Sequence, residues 1–219
     1  MPLPESLRPT WEALYNEVIA VHVHWIIYRQ LFGESEQRIN LLNASASSFF
    51  SVIQATLLDD VQLTLSKLAD PAATGSKANA TLERLISEMA TLSERPLIDK
   101  LKELLIEFRG SCGQIKRRRN TQIAHYDHAT LLQQYSSGST VPLGPSRQEI
   151  EDALGALRRF MEPIESYLTS SATAYRRFVS RADGEALILV LQQGLRYQEL
   201  QNNGVIPWDD LRNARPFGS

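Results

Sequence analysis

Residues 117–128 read RRRNTQIAHYDH, three consecutive arginines and two of the four histidines of a 219-residue chain whose formal net charge is −2. A histidine with an unperturbed pKa near ~6.5 gives or takes a proton at neutral pH, and an arginine beside it can hold a phosphate bidentately. Together these groups suit phosphodiester chemistry. In RNA the 2′-hydroxyl next to the scissile phosphate is an internal nucleophile, so His125 as acid–base and an arginine that stabilises the charged transition state could suffice without a metal. The run Lys116, Arg117, Arg118 and Arg119 also has a plain explanation, since cations near a helix C-terminus complement its dipole. That explanation covers Arg117 well. It leaves unexplained the following His125 and the polar Asn120 and Gln122, which interrupt a strong apolar pattern.

Geometry leaves the choice of arginine open. On an ideal helix of about 100° per residue, Arg118 and His125 fall within roughly 20° of one another, whereas Arg119 and His125 are about 120° apart. Arg119 therefore needs a helix end, a bulge or a second subunit to join the same site. It also continues the apolar stripe through Cys112 and Ile115, where an unpartnered guanidinium is costly. Asp60, beside the stripe of the second helix, is a candidate carboxylate for it. Asp127 is placed to orient an imidazole or to begin a loop. His125 and His128 are three apart, but no cysteine or carboxylate cluster completes a metal site, so neither metal nor cofactor is expected. His22 and His24 are two apart and point to nearly opposite helical faces, one packed and one exposed. The basic–aromatic runs Arg158–Phe160 and Arg176–Phe178 can hold RNA, although solvated helix faces are their usual explanation.

The elements that must carry these residues are helical. Thr10 reads as an N-cap before Trp11, Leu14, Val18, Val21, Trp25 and Tyr28, with a stop at Gly33. A long second helix starts near Ser35, weakens at NASASS, and ends at the Pro/Gly-rich DPAATGSKAN. A short helix covers 81–90. Pro96 then opens the helix whose stripe, Leu97, Leu101, Leu105, Phe108, Cys112 and Ile115, leads into the basic motif. Ser146 and Glu149 have capping-box spacing before Ile150, Leu154, Leu157, Met161, Ile164 and Leu168, with a kink expected at Pro163. A last helix spans about 184–201. No run alternates with period two, so the fold class is all-α, a four-helix bundle with short extra helices. The division expected is a bundle over 1–180, with the helix and tail of 181–219 packed on the same domain.

Hydrophobic residues at 43% and charged residues at 22% are ordinary for a globular chain and exclude global disorder. The slight acidity excludes a protein coated in positive charge, so any polyanion site must be local. Cys112 is the sole cysteine and cannot form an internal disulfide. MPLPESLRPTW lacks a signal-peptide pattern, and ALILVLQQ is too short for a membrane span, so a cytoplasmic location without membrane partners is expected.

RNTQIAH, Arg119 through His125, resembles the signature of HEPN domains: an arginine, then Asn, Asp or His, then a histidine after four to six intervening residues at the end of a long bundle helix. LLDDVQLTLSKLADP, ATLERLI and RNTQIAHYD together resemble the AbiU branch, associated with abortive infection against phage, over roughly residues 10–170. The resemblance implies an up-and-down four-helix bundle that homodimerises and brings two motifs together. It also implies metal-independent endoribonuclease activity, often as a toxin or phage-defence effector acting on an RNA substrate, with room for an antitoxin partner. Carried onto this chain, Arg119 contacts phosphate, Asn120 orients the site and His125 transfers the proton, with Lys116, Arg117 and Arg118 as RNA-binding cations. HYD lacks the tyrosine two places after histidine that marks HEPN toxins paired with nucleotidyltransferases, which disfavours AMPylation control. The reading from a different class is a non-catalytic helical scaffold that binds RNA, a nucleotide or a protein.

Overall fold

The computed structural model describes residues 4–92, 94–123, 145–169, 173–176 and 183–209. They form α1 (Arg8–Phe32), α2 (Glu36–Leu68), α3 (Leu82–Met89), α4 (Arg95–Ser111), α5 (Gly113–Arg118), a π-helical turn (Arg119–Ile123), α6 (Arg147–Thr169) and α7 (Gly184–Asn202). The all-α expectation holds. One amendment is a minimal hairpin in the 69–80 connection, β1 (Ala73–Thr74) with β2 (Lys77–Ala78), paired Ala73 to Ala78. Its two-residue turn is possible because Gly75 takes φ 59° without a Cβ penalty.

The chain divides into two compact units, one of 1–26 with 56–178 and one of 27–55 with 179–219. In the first unit the helical stripes meet as their periodicity requires. Val18 and Val21 of α1, Val61 and Leu65 of α2, Leu101 and Phe108 of α4, and Leu154, Leu157 and Phe160 of α6 are all fully buried. Each pairwise crossing is fixed by contacts. Cys112 and Arg109 reach the carbonyls of Leu65 and Ala69, so α4 runs against α2. Glu107 meets Arg159 and Leu92 meets Tyr167, so α6 runs against the α4 strand of chain. Trp25 donates to Glu151 and Tyr15 bonds Thr173, so α1 runs against α6. His24 to Asp60 closes the ring between α1 and α2. Three antiparallel steps leave α1 and α2 antiparallel as well, which is the up-and-down bundle.

Helix starts differ from expectation in one place. Thr10 is not the N-cap, because α1 begins two residues earlier, at Arg8. Pro9, within the first turn, has no N–H that a helix would need to satisfy there. Thr81 stands just outside the short helix and caps α3, accepting from Arg84 N at 3.3 Å. Ser146 and Glu149 form the reciprocal capping box, with Glu149 N donating to Ser146 Oγ at 3.2 Å and Ser146 N to Glu149 Oε2 at 2.6 Å. The weak stretch NASASS becomes a break at Ala46 (φ −164°, ψ 73°) inside α2.

In the second unit Asp183 caps α7, accepting from Glu185 N at 3.0 Å and Ala186 N at 3.3 Å, and its other oxygen receives Gln30 Nε2 at 2.9 Å. Gly184 is required there, because a Cβ would lie 2.9 Å from Gln30 Cβ. Arg38 clamps Glu185 bidentately at 2.7 and 2.9 Å. ALILVLQQ is not the nearest approach to a membrane span: α2 is long and apolar enough by length and composition. Its alanines, with scattered Leu, Ile, Val and Phe, raise the average without any long run of large apolar side chains.

Candidate functional site

The basic motif sits where α4 hands over to α5. Cys112, at φ −85° and ψ 3°, is the joint, and it and Ile115 are wholly buried, so the start of α5 is pinned to the core. Burial pushes the Cys112 thiol up to about 12. After Arg118 the helix widens into the π turn of 119–123. Turns closed by i→i+5 bonds hold more residues than an α-turn and are frequent at functional sites. The 100°-per-residue wheel therefore stops applying at Arg119.

The side chains fan out toward the C-terminus of α2. Arg119 Nη1 meets Asp70 Oδ2 at 2.5 Å, and its Nε donates to Asn120 Oδ1 at 3.0 Å. Lys116 Nζ meets the other Asp70 oxygen at 3.1 Å and donates to Ala69 O at 3.2 Å. Arg109 adds bonds to Ala69 O at 3.0 Å and Asp70 O at 3.2 Å. Three cations thus converge on the last carbonyls of a helix, where its dipole is negative, and on one carboxylate. Arg109 also reaches Glu83 Oε1 at 3.2 Å, and this bond, then one from Ala72 N, holds the Glu83 carboxyl below its usual range.

Asp60 is not the partner of Arg119. It accepts from or shares a proton with His24 Nδ1 at 2.7 Å, and Asp70 takes the role proposed for it. Antiparallel packing sets Arg109 beside Ala69 and Cys112 beside Leu65, and beyond the joint Arg118 continues back toward Asp59, whereas Lys116 and Arg119 turn the other way, to Asp70. Arg118 pairs with Asp59 at 2.8 Å, and Arg117 is exposed. The structure therefore gathers Lys116, Arg119 and Asn120 around Asp70, and sends Arg118 to a different carboxylate. His125, Asp127 and His128 lie outside the described residues. Sequence reasoning missed Asp70, Arg109 and Glu83 as members of this cluster, and Asp59 as the partner of Arg118. The available signal for Asp70 was its place between the last turn of a long helix and Pro71, since a carboxylate there stands ready for a neighbouring cation.

His22 and His24 divide as expected. His22 is 2% exposed, its Nδ1 lies 2.7 Å from Val18 O, and burial lowers its pKa to about 4. His24 is partly exposed on the Asp60 pair.

The family model HEPN AbiU2, described as AbiU2, matches residues 5–188, which take in all four bundle helices, the joint at Cys112 and the whole RNTQIAH motif. The chain belongs to the HEPN AbiU2 family. HEPN-type domains are often ribonucleases or linked to abortive infection. No curated protein and no solved structure matches the chain. Among the described residues of this HEPN AbiU2 chain, no group of three or more His, Cys, Asp or Glu is arranged to hold a metal ion.

Proposed function

We propose that this HEPN AbiU2 protein is a metal-independent endoribonuclease of the toxin or phage-defence type, working as a homodimer through Arg119, Asn120 and His125. The observation that carries the reading is the state of Arg119. Its guanidinium is oriented by Asp70 and Asn120, on a π turn at the head of RNTQIAH, and its side chain keeps 20% exposure. Nη1 and Nε are engaged by these neighbours, and a phosphate oxygen would be taken by the fork's remaining donor. His125 takes the proton of the 2′-hydroxyl, the oxygen attacks phosphorus, and the P–O5′ bond breaks. The second motif of the dimer returns a proton to the leaving 5′-oxygen, giving 2′,3′-cyclic phosphate and 5′-hydroxyl ends. The second unit exposes Phe49, Val52, Leu189 and Val190, apolar surface that favours a dimer.

Purified protein incubated with total RNA in EDTA tests this. Wild type should give discrete fragments, Arg119→Ala about 10²–10³-fold fewer, and His125→Ala about 10²–10⁴-fold fewer. Equal cleavage by all three would refute the assignment. One observation favours the other reading, a non-catalytic module that binds RNA, a nucleotide or a protein: Asp70 already pairs with both Lys116 and Arg119. That reading predicts no fragments and RNA binding that survives His125→Ala.

A further inference from the structure

A second cationic site lies in the first unit, on α6 beside the Arg159–Glu107 pair. Arg158 and Arg159 of α6 and Arg176 line a cleft of about 300 Å³ with Glu162 and Tyr175. Glu107, which holds Arg159, precedes Arg119 by twelve residues, roughly 18 Å along α4 and α5. The two sites are therefore separate.

Three features set this cleft apart from a solvated helix face. First, Gly155 leaves the floor open: Arg159 Nη1 and Arg158 Nη2 lie 3.5 and 3.6 Å from where its Cβ would be, so the two heads converge over a residue with no side chain. Second, the wall that carries Arg176 is pinned. Tyr175 is buried, donates its hydroxyl to the buried Glu165 and stacks near His22 at 4.8 Å, while Thr173 N donates to Glu165 at 2.8 Å. Third, two of the three arginines are not in an ion pair among the described residues, although Glu162 and Glu165 also line the cleft. Glu107 serves Arg159 and Glu165 serves the 173–175 segment. Glu162 is exposed and makes no ion pair with either arginine of α6, and neither Arg158 nor Arg176 has a hydrogen bond or ion pair among the described residues. Arg158 is half-buried, and burial first, then Arg176 and Arg159, holds its guanidinium below the usual range despite attraction to Glu151. Such a group gains from an added anion what it lacks from its neighbours.

We propose that this cleft is a binding site for a phosphate monoester, presented by a free nucleotide or by the 5′ end of an RNA chain. A monoester carries about −1.5 to −2 charges at neutral pH and three acceptor oxygens. That matches two guanidiniums not otherwise engaged; an internal diester brings one charge and two acceptors. The volume admits a mononucleotide. The site needs neither Arg119 nor His125, so it stands or falls independently of RNA cleavage.

The test is calorimetric titration of full-length protein with AMP, adenosine, and a tetraribonucleotide with and without a 5′-phosphate. Wild type, Arg158→Gln, Arg176→Gln and Arg119→Ala are compared, with folding followed by thermal melts. The proposal expects saturable binding of AMP or of the phosphorylated tetranucleotide, at least ten times tighter than adenosine or the 5′-hydroxyl form. Arg158→Gln and Arg176→Gln should each weaken it tenfold or more, and AMP binding should be the same in Arg119→Ala as in wild type. Whichever phosphorylated ligand binds tighter identifies the source. Arg176 is exposed, so its variant folds whatever happens to Arg158→Gln. Adenosine binding as well as AMP, wild-type affinity in Arg176→Gln, or no saturation at millimolar ligand would each overturn the proposal.

Discussion

His22 shows how one buried side chain sets a pH response. Its Nδ1 donates to the Val18 carbonyl as the neutral tautomer, and Nε2 has no hydrogen-bond partner among the described residues, so a second proton would be buried without an acceptor. The folded pKa of about 4 lies below the ordinary 6.5, so between those values the unfolded chain binds more protons than the folded one. Stability is then full above pH 6.5 and falls as pH drops toward 4, by about 3 kcal/mol from this residue. Urea unfolding at a series of pH values should show that slope, and His22→Gln should flatten it; an unchanged slope would contradict the assignment. Cys112 gives a second residue-scale prediction. With its pKa near 12 and no exposure, it should stay unreactive toward a thiol reagent in native buffer and react at once in denaturant. Arg119 marks the limit of what a residue pattern conveys. The misfit of a cation on an apolar stripe was legible, and a carboxylate was one of the partners it called for. Which carboxylate answered it was not, because Asp60 and Asp70 sit on the same helix and only the crossing of α2 with α4 and α5 chooses between them.

Among the elements, the segment from α4 through the π turn does most to position the site. Phe108 and Leu101 are fully buried against α6 and α2, and they anchor the helix that carries Lys116 and Arg119. Phe108→Ala should cost about 3–5 kcal/mol in chemical denaturation. Loss of the Ser146 cap is a gentler test at the head of α6: Ser146→Ala should cost about 1 kcal/mol. Asp70 acts at the element scale too, since it ties the end of α2 to α5 and the π turn. Asp70→Asn keeps the shape but loosens Arg119, and cleavage should fall about 10-fold or more with little change in stability. The helices themselves were plain in the sequence, because stripes such as Val18–Val21–Trp25 and Leu154–Leu157–Met161 repeat at helical spacing and bury as they should. Local signals also carried through, as the Ser146 cap and the break at Ala46 show. The π turn and the Gly75 hairpin were not legible. A π turn has no propensity signature of its own, and two-residue strands are too short to alternate.

At the scale of the whole molecule, the first unit holds four antiparallel helices with the basic motif, and the chain belongs to the HEPN AbiU2 family. Fold and family were both readable from the chain, since one rests on long periodic helices and the other on RNTQIAH. The catalytic assignment depends on a second subunit that neither stripe nor motif displays, and it predicts a dimer by sedimentation analysis. Replacing the exposed Val190 with Lys should shift that equilibrium toward monomer and reduce cleavage in parallel, whereas a wild-type monomer that cleaves normally would remove the two-subunit site. The most direct measurement of the central claim uses one RNA oligonucleotide, cut in EDTA by wild-type protein, remade with a single 2′-deoxy nucleotide immediately 5′ of the scissile phosphate. Attack by the 2′-hydroxyl through Arg119 and His125 predicts a 2′,3′-cyclic phosphate end on the all-ribose product and no cutting at the deoxy position. Cutting that persists at the deoxy position, or a fragment ending in a plain 3′-hydroxyl, would contradict it.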